Sequence, residues 1–68
     1  MEKTVYMIIH DRRLIVEVVE KEIQGGLFYI SRVLMDGNKF VINVSALKTI
    51  AIHSVNRFVK RYHRAFDD

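Results

Sequence analysis

Apolar and polar residues alternate along most of the chain, and the period of that alternation lengthens near residue 54. From Thr4 to His10 an extended backbone sends Val5, Met7 and Ile9 one way and Tyr6, Ile8 and His10 the other. A second run, Arg13 to Glu20, sets Leu14, Val16 and Val18 against Ile15, Glu17 and Val19. Asp11 and Arg12 between the runs are few enough for a hairpin turn. Lys21 to Gly26 is charged and then glycine-rich, which suits a loop. A third run, Leu27 to Met35, carries Phe28, Ile30 and Leu34 on one side and Tyr29, Ser31 and Val33 on the other. Asp36 and Gly37 form the best short-range hairpin signal, and the returning strand, Lys39 to Val44, directs Phe40, Ile42 and Val44 inward. Lys48 to His53 reads as a fifth short strand. A helix competes there, because Ala46, Leu47, Ile50 and Ala51 recur at helical spacing.

Ser54 suits the N-cap of a final helix, since its hydroxyl can accept from an orphan amide of the first turn. Beyond it Val55, Phe58, Val59, Tyr62 and Phe66 recur at i, i+3, i+4, i+7 and i+11, one stripe of a 3.6-residue period. Arg57, Lys60, Arg61 and Arg64 fall together on the opposite side, within about 100° of arc. The expected architecture is α+β: about five antiparallel strands in a meander over residues 1–53, then one basic amphipathic helix over 54–66, in a single domain.

One helix covers only one face of such a sheet, yet the first two strands are apolar on both faces. Two arrangements would hide the remainder. The sheet curls into a small barrel of SH3-like or Sm-like outline, or a second copy packs against the open face. A homodimer is preferred, because 68 residues bury a small core and the chain has no cysteine for a disulfide or a thiolate metal site. Nineteen Val, Ile and Thr residues favour strands over helix through most of the chain. The longest uncharged stretch, Ile23 to Ser31, is far short of the roughly 18 apolar residues of a membrane span. Asp11, Arg12 and Arg13 interrupt the N-terminal apolar run, so no leader is expected, and a cytoplasmic location is the default.

The net charge of +3 is unevenly spread. Residues 1–36 are nearly balanced, whereas 37–66 hold Lys39, Lys48, Arg57, Lys60, Arg61 and Arg64 and no acid. That asymmetry points to an anionic partner, either nucleic acid or an acidic protein surface. The candidate contact residues are Arg57, Lys60, Arg61 and Arg64 for phosphates, with Asn56 and His63 beside them for any selectivity. A charged helix face also occurs for solubility alone. The aromatic residues sit mostly at inward positions, which argues against stacking on unpaired bases.

Catalytic chemistry finds no support. His10, His53 and His63 are not spaced as metal ligands, and Ser31, Ser45 and Ser54 lack a nucleophile elbow. Glu17 and Glu20 face opposite sides of a strand, and Gly25 and Gly26 are too few for a phosphate-cradling loop. No enzyme activity, cofactor or metal is expected. The reading is a non-catalytic module contacting nucleic acid through its basic helix, with a protein-binding adaptor or inhibitor as the alternative.

The segment Asn56 to Phe66, NRFVKRYHRAF, preceded by Leu47 and Lys48, resembles the basic-aromatic run of LytTR-type DNA-binding domains. The resemblance spans eleven residues and requires a one-residue insertion. It implies a DNA-binding function and a strand for this run. The helical period contradicts the strand, so no residue roles are transferred.

Overall fold

The computed structural model describes residues 2–66. Four antiparallel strands, β1 (Glu2–Asp11), β2 (Leu14–Ile23), β3 (Gly26–Met35) and β4 (Asn38–Ser45), form one sheet in chain order. A 19-residue helix, α1 (Lys48–Phe66), lies across one face. The molecule measures 43 × 22 × 15 Å, a slab of two layers.

Two of the three turns are set by left-handed residues. Asp36 and Gly37 have φ of 51° and 83°, and Gln24 and Gly25 have 50° and 80°. Positive φ at both central residues is the two-residue turn whose twist matches its strands. The second of these turns lies one residue earlier than the expected glycine pair, and β2 and β3 extend to meet it through Ile23 and Gly26. The first turn is Arg12–Arg13 rather than Asp11–Arg12, because the Asp11 carboxylate accepts the Arg13 N–H at 2.7 Å and closes the bend itself. The Arg13 side chain also ties this turn to the Asp36 turn, with Nε 2.6 Å from Oδ1.

The sheet has four strands, not five, and it is open, so the SH3-like and Sm-like outline is wrong. Residues 48–53 are the first turns of α1. The Ser45 hydroxyl accepts the Leu47 N–H at 3.0 Å, turning the chain off the sheet, and the Leu47 carbonyl accepts the Ala51 N–H at 3.2 Å. Ser54 therefore lies inside the helix rather than capping it. With no fifth strand to bridge them, β1 and β4 stay as separate edges, paired only with β2 and β3.

Tyr6, Ile8, Leu14, Val16, Val18, Tyr29, Ser31, Val33 and Met35 face the helix and pack against Ala51, Ile52, Val55, Phe58, Val59 and Tyr62. Leu14, Val16, Val18, Val33, Ala51 and Val55 are essentially inaccessible. Ala51 is small enough to let the helix approach β3, where the Ser31 hydroxyl donates to the Ala51 carbonyl at 2.8 Å. The Phe66 side chain, expected on the same stripe, lies outside the described residues. Phe40, Ile42 and Val44 were expected inward, yet all three are exposed. A bulge at Ile42, between the partners of Ser31 and Arg32, breaks the alternation and moves Val44 to the other face.

Candidate nucleic-acid interface

The long helix makes the cationic surface. Its inner stripe is held by the sheet, so the residues about 180° away must face solvent. His53, Arg57, Lys60, Arg61 and Arg64 are all exposed there. No acidic residue occurs anywhere in α1. Among the described residues the ion pairs lie elsewhere: Arg13 with Asp36, Arg32 with Glu2 and Glu17, Lys21 with Glu2, and the His10 ring beside Asp11. Arg57 and Arg61 also line an open cleft with Ile42, Ser54 and Phe58, where the helix passes over β4. Arg57 and Lys60 line a second with His53, Asn56 and Val59. Neither is enclosed, so both suit contact with an extended ligand more than capture of a small substrate.

Asn56 and His63 part company with the four cations. Both turn toward the β1 flank, where the Asn56 Oδ1 accepts the Tyr6 hydroxyl at 3.1 Å. The His63 ring stands edge-on to His10 with centroids 4.5 Å apart, and Tyr62 packs against the same His10 at 5.4 Å. The residues named for selectivity thus also serve to dock the helix. His53 moves the opposite way. Read as the end of a strand, it joins the basic stripe because the helix begins early.

The opposite face of the sheet carries a polar cluster that the sequence reading missed. Glu17, 6% exposed, receives the Arg32 Nε at 2.9 Å and the Thr4 hydroxyl at 3.3 Å, and Glu2 reaches the Arg32 Nη2 at 3.2 Å. Hydrogen bonding and attraction from Arg32 hold the Glu2 carboxyl below its ordinary pKa. Burial alone would lower the Arg32 pKa, but Glu17 and Glu2 more than offset it and the net shift is upward. Tyr29 is pushed up mainly by burial and then by Glu20. The turn supplies the reason for the omission. A loop over Lys21 to Gly26 leaves the register of the second and third strands open, whereas the tight turn at Gln24–Gly25 sets Glu17 opposite Arg32.

Among the described residues no three His, Asp or Glu side chains gather as a metal site, and no helix is long and apolar enough to cross a membrane. The run from Asn56 to Phe66 is helical, not the strand that the LytTR resemblance implies. Comparison with family models, with curated proteins and with solved structures gives no match.

Proposed function

We propose that the protein is a non-catalytic binding module that takes the phosphates of a nucleic acid along the outer face of α1. Arg57, Lys60, Arg61 and Arg64 are the contact residues, and His53 extends the stripe toward the helix start. The observation that carries this reading is that all four cations are exposed on one rigid element with no acid paired to them among the described residues. A face kept basic only for solubility needs no such exclusion of acids along 19 residues. Phosphate contacts position a protein without reading sequence. The module therefore binds duplex DNA or structured RNA with little base preference of its own.

Fluorescence anisotropy with a labelled duplex over a range of salt concentrations tests this. Engagement of three or four phosphates predicts that log affinity falls linearly with log salt, with a slope of roughly −3 to −4. Replacing all four cations with Gln removes binding while circular dichroism stays unchanged. No binding at low salt, or equal binding by the variant, overturns the proposal. A second reading draws on Leu47 and Ile50, 58% and 48% exposed beside the start of the basic stripe. They favour an acidic protein surface with an apolar centre, and binding to such a partner would persist at high salt.

A further inference from the structure

Among the described residues no element packs over the face of the sheet away from α1, although Val19 and Glu17 at its middle are already only 1% and 6% exposed. Three register lines cross its middle: Ile9, Ile15, Leu34 and Lys39; Met7, Glu17, Arg32 and Val41; Thr4, Val19, Ile30 and Val44. Ile9, Met7, Val41 and Val44 are 66%, 48%, 63% and 53% exposed. Four adjacent strands of this length present a footprint of roughly 600 Å². Two such footprints pass the roughly 1,000 Å² total that a specific interface needs. Glu17 and Arg32 sit directly opposite each other on the two central strands, at the centre of this surface.

We infer that this face is the interface of a homodimer, in which two copies stack sheet on sheet about a twofold axis running along the strands between β2 and β3. The strand order is what makes the surface fit itself. That axis lays β2 on the second copy's β3 and β1 on its β4, so all four strands overlap. Each Glu17–Arg32 pair, bonded within its own copy, then lies against the same pair of the second copy in reversed order, so the charges alternate around the axis. The same axis brings Ile15 onto Leu34 and Met7 onto Val41, apolar on apolar, and sets Ile9 beside Lys39 at the rim, while Val19 is already inaccessible within one copy. Aligned sheets pack about 10 Å apart with a crossing near 30°. An apolar face alone would leave the docking register loose, and the Glu17–Arg32 row fixes it. Partners of other kinds lack this warrant, since the charge pattern is complementary to itself.

Sedimentation equilibrium on the full chain tests the assignment. The wild type is expected at twice 8.0 kDa at micromolar concentration. Ile9→Lys, at a site already exposed in the single copy, sets a cation opposite Lys39 of the second copy at two symmetric places, so it should sediment as a folded monomer with an unchanged circular dichroism spectrum. Phe40→Lys lies on β4 toward the helix side and should stay dimeric. A monomeric wild type at several hundred micromolar overturns the inference and leaves the face to a different protein. A dimer that survives Ile9→Lys overturns it, and one lost in Phe40→Lys overturns it in favour of pairing through the β4 edge.

Discussion

Glu17 and Arg32 form a mostly buried pair at the middle of a sheet face. A buried ion pair adds little net stability over an apolar pair of the same shape, but removing one partner strands the other charge. Arg32→Met is therefore expected to cost about 3 kcal/mol, and Glu17→Leu with Arg32→Met together much less than twice that. Urea denaturation of the two single variants and the double variant measures the difference. Glu2 makes the same cluster sensitive to acid. Its folded pKa lies below the ordinary value of 4.5, so its contribution is complete above that value and is lost as pH falls through the lowered one. Melting temperature followed from pH 5 downward should fall less steeply in Glu2→Gln than in the wild type. Equal slopes would show that the Glu2–Arg32 contact adds nothing in solution.

At the scale of elements, the two left-handed turns differ in how plainly they are written. Asp36–Gly37 is a familiar hairpin pair and was readable at once. Gln24–Gly25 was not, because Gln tolerates positive φ poorly and the following Gly26 offers an easier site one residue later. Reading Lys21 to Gly26 as a loop left the register open and hid the partner of Glu17. The start of α1 was obscured for a related reason. Thr49, Ile50 and Ile52 are β-branched and read as strand, while the device that turns the chain is the Ser45 hydroxyl two residues upstream of the helix's first carbonyl partner. By contrast, the inward stripe at Val55, Phe58, Val59 and Tyr62 and the outward cations were legible, because a long amphipathic period needs no knowledge of neighbours. What was not legible is that Asn56 and His63 bind back onto β1. Two variants separate these contributions. Gly37→Ala meets no atom within 4 Å, so its cost is backbone strain alone, about 1–2 kcal/mol. Ala51→Leu must push the helix off β3 at a fully buried site and is expected to cost about 1–3 kcal/mol. Chemical denaturation checks both.

For the whole molecule, stacking two sheets back to back places the two helices on opposite outer surfaces. The cations then point away from each other, some four layers apart, and cannot converge on one stretch of duplex. If both the phosphate contact and the sheet-on-sheet dimer hold, the dimer is bivalent and joins two duplex segments. Binding to a short duplex depends on one helix, so Ile9→Lys should keep the affinity and salt slope of the wild type on an oligonucleotide. On long DNA the two should diverge, because the second contact becomes intramolecular and its effective concentration replaces free diffusion. Bridging of two tethered duplexes, or turbidity of long DNA at low salt, is expected for the wild type and absent from Ile9→Lys. The variant lacking Arg57, Lys60, Arg61 and Arg64 should remain dimeric and lose both short-duplex binding and bridging. Those patterns keep the two ideas apart: a bridging Ile9→Lys protein rejects the proposed dimer, and a bridging quadruple variant rejects the proposed contact surface.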